Sequence, residues 1–305
     1  MIDYNTLPLD RLYSALVPKM AVRTLLTLAR DEDLGETGDI TSRAMVPEDR
    51  MATYDVVPRE PGVVCGLAVV GDLFEIFGCS CAFEMHTTDG AEIEPGRSVL
   101  SLRGSQRELL AVERTLLNVV ARLSGIATLT RKYVDACAGH QSAVCDTRKT
   151  LPGWRFLEKY AVRCGGGTLH RVGLFDALLI KDNHLVGLPT ETFVDRVSEA
   201  IRAARAKQPL RFVEIEVDTQ DQLRQVMQVP EGLVDIVLLD NMPPEMLREA
   251  VAMRDTQAPN LLLEASGGIG LRTIAEVAAT GVDRISIGAI TQRAVSLDFG
   301  MDASA

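Results

Sequence analysis

The sequence predicts an α/β protein in two parts: a small N-terminal α+β region, then a longer stretch in which parallel strands alternate with helices. Three observations carry this reading. The chain of 305 residues is long for one ordinary domain and short for three. Up to residue 104 short apolar runs are separated by Pro/Gly turns, whereas beyond Ser124-Gly125 β-rich runs and helical windows alternate. The composition, 47% hydrophobic and 24% charged, excludes disordered, collagen-like and disulfide-scaffold architectures.

A helical start near Met20 to Arg30 precedes apolar runs at Tyr54 to Val57, Val63 to Val70, Ala91 to Ile93 and Val99 to Leu102. Ser105 and Glu108 have the S-x-x-E spacing of a capping box and open a helix. Leu109, Leu110, Val112, Leu116, Leu117, Val119 and Val120 share one face of it, while Arg107, Arg114 and Asn118 share the other, so Arg114 points away from the helix's own core. Six β-rich runs come next, at Ala143 to Asp146, Ala177 to Lys181, Phe212 to Val217, Val234 to Leu239, Leu261 to Glu264 and Arg284 to Ile287. Helical windows near 153–163, 190–207, 219–228, 244–253 and 270–279 lie between them. Strands joined by crossover helices run parallel. Six strands are fewer than the eight of a closed (β/α) barrel, so either two escape the pattern or the barrel is incomplete.

No stretch approaches the roughly 20 apolar residues that span a bilayer, and the N-terminus lacks a basic start, apolar run and small-residue cleavage site, so a cytoplasmic protein is expected. The six cysteines (65, 79, 81, 137, 145, 164) form no pair of CxxC units, and read as reduced thiols rather than structural zinc ligands. A net charge of −10 and a pI near 5.0 weigh against nucleic-acid and anionic-membrane partners. The charge is uneven, however. From Arg114 to His184 there are 11 Lys and Arg against 5 Asp and Glu, a net +6 that leaves −16 for the remainder. Such an island fits either a pocket for a small, strongly anionic ligand or a set of solvated helix faces.

In parallel βα architectures the ligand lies at the C-terminal ends of the strands, so the residues at the end of each run are informative. The six runs lead to Asp146-Thr147-Arg148-Lys149, Lys181-Asp182-Asn183-His184, Glu214 with Glu216, Asp240-Asn241, Glu264-Ala265-Ser266-Gly267-Gly268 and Gly288-Ala289. One such residue is ordinarily a helix cap or loop ion pair, but six in succession indicate a site. Ser266-Gly267-Gly268, with Gly288, suits a phosphate, because free N–H groups and a helix dipole face it and glycine admits close approach. Glu216 and Asp240 can converge on a magnesium ion or on sugar hydroxyls, the alternative being an ion pair with a strand-end lysine. Arg148, Lys149, His170, Arg171 and Lys181 offer cations to carboxylates and phosphates; His170 serves equally as a neutral hydrogen-bonding group, and His184 as a cap. Gly165-Gly166-Gly167 reads as a flexible substrate loop. G-x-S-x-G, H-E-x-x-H and P-loop sequences are absent, which disfavours nucleophilic hydrolysis and Walker-type ATP hydrolysis. A magnesium-assisted reaction of a phosphorylated sugar with an anionic acceptor fits these residues.

The order of motifs resembles the quinolinate phosphoribosyltransferase family over nearly the whole chain. The resemblance rests on Glu32-Asp33-Leu34-Gly35, Gly38-Asp39-Ile40-Thr41-Ser42, Glu113-Arg114-Thr115, Arg122-Leu123-Ser124-Gly125, Asp146-Thr147-Arg148-Lys149-Thr150, Glu158-Lys159-Tyr160-Ala161-Val162, His170-Arg171, Lys181-Asp182-Asn183-His184, Leu239-Asp240-Asn241 and Glu264-Ala265-Ser266-Gly267-Gly268. It implies an α/β sandwich over 1–115 joined by the tail 290–305, and an open, incomplete barrel of about six strands over 116–289. It further implies transfer of phosphoribose from phosphoribosyl pyrophosphate to quinolinate with decarboxylation, giving nicotinate mononucleotide, pyrophosphate and CO2 in de novo NAD synthesis.

By the same resemblance Arg148, Lys149, His170, Arg171 and Lys181 bind the quinolinate carboxylates and the pyrophosphate, with Lys149, Lys181, Glu216 and Asp240 nearest the chemistry. Glu216 and Asp240 hold the ribose hydroxyls and Mg2+, the ion mainly through substrate and water, and Ser266, Gly267, Gly268 and Gly288 the 5′-phosphate. The resemblance also implies a homodimer with shared active sites, or a higher oligomer built on it, in which Arg114 reaches into the neighbouring site. Leu169 departs from the asparagine usual before His-Arg, which leaves backbone placement to fix His170. The competing readings are a paralogue in the same fold with another acceptor, a Schiff-base aldolase using Lys181, and an anion-binding regulator without turnover.

Overall fold

A computed structural model describes residues 2–304. Its strands, in chain order, are β1 (Met51–Pro58), β2 (Gly62–Val63), β3 (Ala82–Met85), β4 (Glu92–Ile93), β5 (Leu100–Ser105), β6 (Ala143–Cys145), β7 (Leu178–Ile180), β8 (Val213–Val217), β9 (Ile236–Asp240), β10 (Leu262–Ser266), β11 (Arg284–Ser286) and β12 (Phe299–Ala303). The described chain divides into two compact units, one of residues 4–131, 150–166 and 290–304, the other of 2–3, 132–149 and 167–289. No helix among the described residues is long and apolar enough to cross a membrane.

The first unit is built on an antiparallel sheet in the order β12-β1-β5-β3. The C-terminal strand pairs Met301 with Val56 and Ala303 with Tyr54, and Arg59 ties it further by an ion pair to Asp302. Leu100 and Leu102 alternate inward from β5 and are buried with Leu109, Val112 and Leu116 of the helix Gln106–Ala136. That helix runs unbroken through Ser124-Gly125, where the strand and helix rhythm of the sequence begins. The pair is a packing device. Ser124 Oγ accepts the Cys65 N–H at 2.9 Å, and a Cβ on Gly125 would stand 2.0 Å from the Val295 carbonyl oxygen.

The structure corrects two further expectations. The run Val63 to Val70 is not one strand: after β2 it turns at Gly66 (φ 110°) into the 3-10 turn Leu67–Val69 and the helix Val70–Phe77. Asp89 drives the change by accepting the Leu67 and Ala68 N–H groups at 2.9 and 3.1 Å, a cap supplied from a distant part of the chain. Gly165-Gly166-Gly167 is a helix stop rather than a flexible loop. Gly165 is buried behind the helix Arg155–Cys164, where a Cβ would lie 2.3 Å from the Ala127 carbonyl oxygen.

The second unit is a parallel sheet in the order β6-β11-β10-β9-β8-β7, with helices between successive strands. Six strands are present and the sheet does not close, so the incomplete barrel is the correct alternative. Strand alternation sorts its residues into two layers. Ile215, Val217, Val237, Leu239, Leu263, Ala265 and Ile285 are buried on one face. The register places Glu214, Glu216, Leu238, Asp240, Glu264, Ser266, Arg284 and Ser286 on the other, the face that carries the polar residues.

Candidate active site

The chain after β6 sets the back of the site. Thr168 bridges to Cys145, extending the strand pairing, and Asp146, fully buried, accepts the His170 N–H at 2.8 Å. Leu169, between them, is buried with no exposure, so its side chain serves the core while the backbone delivers His170 and Arg171 to the polar face. Asp176 then fixes the adjoining loop, accepting the Val172 and Gly173 N–H groups at 2.8 and 3.0 Å and pairing with Arg211 at 3.0 Å.

His170 is engaged at both ring nitrogens. Nδ1 accepts the Arg171 N–H at 2.7 Å, and Nε2 stands 2.8 Å from Glu214 and 3.2 Å from Glu264. Burial opposes a charged ring, but the Glu264 and Glu214 carboxylates outweigh it and lift His170 to about 9. The Arg171 N–H fills Nδ1 only while the ring is neutral, with its one N–H at Nε2 toward Glu214, whose own carboxyl is pushed up by burial and by Glu264; the charged ring that Glu264 and Glu214 favour gives up that backbone bond. Glu264 stays ionised against its burial because His170 and Arg284 face it; Arg284 Nε lies at 2.5 Å and Ser286 donates its hydroxyl. Phe212 packs edge-on to His170, its ring centroid 5.3 Å away, and lies 5.9 Å from the Arg284 guanidinium. The sequence counts Glu214 and Glu264 among the strand-end residues without giving either a specific role, and it does not single out Arg284. The legible signal is the even-numbered spacing that Glu214 shares with Glu216.

Around this buried layer the strand ends gather two cationic groups. Arg171 is held below its ordinary range by burial and then by the Arg148 guanidinium, so these two like charges lie within electrostatic reach of each other. Among the described residues Arg171 has no ion pair, and such a pair of guanidiniums suits a dianionic ligand. Lys181 pairs with Glu216, and Lys181 and Lys149 both act on Asp240. Burial and then Asp218 raise the Asp240 carboxyl against those two lysines. Lys181, Lys149, Glu216 and Asp240 thus form one mixed cluster that includes Asp218. The ion pair expected as the alternative for the strand-end carboxylates is present at Glu216.

The loops after β9 and β10 interlock. Asn241 takes a positive φ of 53°, donates its N–H to the Ser266 carbonyl at 2.9 Å and its amide to Asp240 at 2.7 Å. Gly267, at φ 96°, leaves the space this needs, since a Cβ there would lie 2.1 Å from Asn241 Oδ1. Gly268 comes next at φ 63°, and Gly288 lies two residues after β11. His184 caps the turn after β7, its Nδ1 accepting the Lys181 N–H at 2.9 Å.

Several other basic residues of the sequence island are occupied elsewhere. Arg122 pairs with buried Glu158 at 2.7 Å, Arg131 with Glu92 at 3.2 Å, and Lys159 is fully buried. Four cations of the island thus collect at the strand ends, while Arg122 and Lys159 serve the first unit's interior rather than a solvated helix face. Arg114 lies in that first unit, exposed on the helix Gln106–Ala136.

The chain as a whole is similar to known proteins. Residues 39–124 match the quinolinate phosphoribosyl transferase N-terminal domain and residues 126–302 its C-terminal domain. The chain is 44% identical over 287 residues to a nicotinate-nucleotide pyrophosphorylase [carboxylating] of Mycobacterium leprae, covering 92% of this chain and 97% of that one. It is 38% identical over 274 residues to a probable enzyme of the same name from Bacillus subtilis, covering 90% of each. The solved nicotinate-nucleotide pyrophosphorylase of Francisella tularensis superposes with a TM-score of 0.84 at 35% identity, covering 94% of this chain and 98% of that one. With both domains matched in order along most of its length, the chain belongs to the quinolinate phosphoribosyltransferase family.

Proposed function

We propose that this protein transfers phosphoribose from phosphoribosyl pyrophosphate to quinolinate and decarboxylates the product, yielding nicotinate mononucleotide, pyrophosphate and CO2 for NAD synthesis. The observation that carries the reading is the Arg148 and Arg171 pair beside Lys149 and Lys181, a cationic rim suited to a dicarboxylate and a pyrophosphate together.

In this mechanism Arg148 and Arg171 clamp the quinolinate carboxylates and aim the ring nitrogen at the ribose anomeric carbon. His170, committed at both nitrogens, acts by holding Arg171 in place. The bond from that carbon to the pyrophosphate oxygen breaks through an oxocarbenium-like state, and Lys149 and Lys181 stabilise the departing anion. Glu216 and Asp240 hold the ribose hydroxyls, and Ser266, Gly267, Gly268 and Gly288 the 5′-phosphate. Once ribosylated, the ring nitrogen is positive and stabilises by its charge the electron pair left on the adjacent ring carbon as the bond to CO2 breaks; a proton from water then adds to that carbon and completes the product. The two hard carboxylates of Glu216 and Asp240 suit Mg2+ held largely by substrate oxygens and water, since Lys181 already occupies part of Glu216. When bound, the ion supplies positive charge to the pyrophosphate.

The assembly we propose is a cytoplasmic homodimer in which the exposed Arg114 of one subunit completes the site of the other. The direct test tracks nicotinate mononucleotide and CO2 by mass spectrometry with quinolinate, phosphoribosyl pyrophosphate and Mg2+, using nicotinate as a parallel acceptor. Product and CO2 in equal amounts from quinolinate alone are expected. A folded protein that binds phosphoribosyl pyrophosphate but yields no product from quinolinate would overturn the acceptor assignment.

A further inference from the structure

We propose that Cys79, Cys81 and Glu108, in the first unit, form a binding site for one zinc-type divalent cation, separate in its residues and chemistry from the strand-end carboxylates. The two thiols and the carboxylate place their donor atoms within 4.8 Å of one another, and all three side chains are partly exposed, so an ion can reach them. Cys81 Sγ lies 3.5 Å from Glu108 Oε2. A tetrahedral zinc with Zn–S of about 2.3 Å and Zn–O of about 2.0–2.2 Å sets its sulfur and oxygen ligands about 3.5 Å apart, so these two donors already stand at the edge length of such a polyhedron.

The donors are also held. The Glu108 carboxylate, expected from its spacing to turn back on Ser105, instead accepts the Ser80 N–H at 2.8 Å, from the residue between the two cysteines. Its backbone sits in the first turn of the long helix Gln106–Ala136. Cys81 lies over Gly104 of β5, where any Cβ would stand 2.2 Å from Sγ, so the strand leaves its room to the thiol. Three protein donors leave one position for water, the pattern of an open zinc site rather than a closed structural one.

The chemistry selects the ion. Thiolates favour zinc, cobalt and related ions over magnesium. Without metal the thiols keep their protons: burial raises Cys79 and Cys81, and the Glu108 carboxylate adds to both. Binding forms two metal–sulfur bonds and releases two protons to solvent, so affinity falls as pH is lowered. The other four cysteines are buried and join no such cluster among the described residues. The third donor is 27 residues from Cys81, which is why the short C-x-C spacing gives no sign of a site.

The test uses the full-length protein, reduced and desalted without oxygen, titrated with Co2+ alone and separately with Zn2+ against a chromogenic chelator. One equivalent of Co2+ should give a thiolate charge-transfer band in the near ultraviolet, which one equivalent of Zn2+ abolishes. Cys79→Ser and Cys81→Ser should each weaken Zn2+ binding at least tenfold, and Glu108→Gln, which can still accept the Ser80 N–H, should weaken it with the fold intact. The proposal fails if no band appears while thiol titration shows the cysteines reduced, or if Zn2+ binds Cys79→Ser as tightly as the parent. Should Cys81→Ser not fold, Cys79→Ser and Glu108→Gln decide the matter.

Discussion

His170 Nε2 stands 2.8 Å from the Glu214 carboxylate, and Glu214 has no exposure at all. Breaking a buried pair of this kind leaves an uncompensated charge and costs about 3–5 kcal/mol. His170→Ala should therefore lower the melting temperature as well as activity. The pair also carries a pH signature. His170 is lifted from 6.5 to about 9, so its contribution to stability is full below about 6.5 and is lost as pH rises through about 9. Thermal denaturation across that window should show a decline in the parent that is shallower in Glu214→Gln. Equal slopes in both would remove Glu214 as the partner.

Arg171→Ala should lower kcat/KM by about 2–4 kcal/mol, because a substrate carboxylate would be left without its counter-charge in a partly desolvated site. Arg171→Lys should recover little, since a point charge does not reproduce a bidentate fork. Steady-state kinetics with quinolinate varied is the measurement, and a loss below about tenfold places Arg171 outside contact with substrate.

The sequence already shows the six parallel strands and their polar ends, because β-rich runs and alternation report directly on local geometry. It does not show which charges are spent inside the fold. Arg122 and Arg148 look alike in a charge count, yet Arg122 meets buried Glu158 while Arg148 stands beside Arg171. Nor does local pattern reveal a cap that comes from far along the chain, as Asp89 does for Leu67, or a helix that passes through Ser124-Gly125 because a distant carbonyl needs the space. The sequence marks His170 as a cation for ligands; the Glu214 and Glu264 pair that claims it becomes visible only when the strands are placed side by side.

Gly267→Ala tests the interlocked loops. The added Cβ meets Asn241 and must adopt a φ of 96°, a strain of about 1–3 kcal/mol. The expected result is a lower melting temperature together with a raised KM for phosphoribosyl pyrophosphate. An unchanged KM would separate this turn from phosphate binding.

Leu169→Asn probes the departure from the asparagine usual at this place. His170 is fixed by the Asp146 carboxylate and the Arg171 N–H, neither of which involves the Leu169 side chain. Activity should therefore change by less than about tenfold, or about 1.4 kcal/mol. A much larger gain would mean that an amide at 169 controls the histidine.

Arg114 offers the sharpest test of a shared site. It is exposed on its helix, so Arg114→Ala should leave stability within about 0.5 kcal/mol of the parent while abolishing turnover. Lys149→Ala should be inactive for a different reason, the loss of a cation at the strand ends. If each site takes Arg114 from one subunit and Lys149 from the other, a mixed dimer of the two variants has one site with both lesions and one with neither. Random exchange makes about half of the dimers mixed, with one intact site in two, so about a quarter of parental activity should return. Verified mixed dimers that stay inactive would show that Arg114 acts within its own chain, and the dimer would then have no part in completing the site.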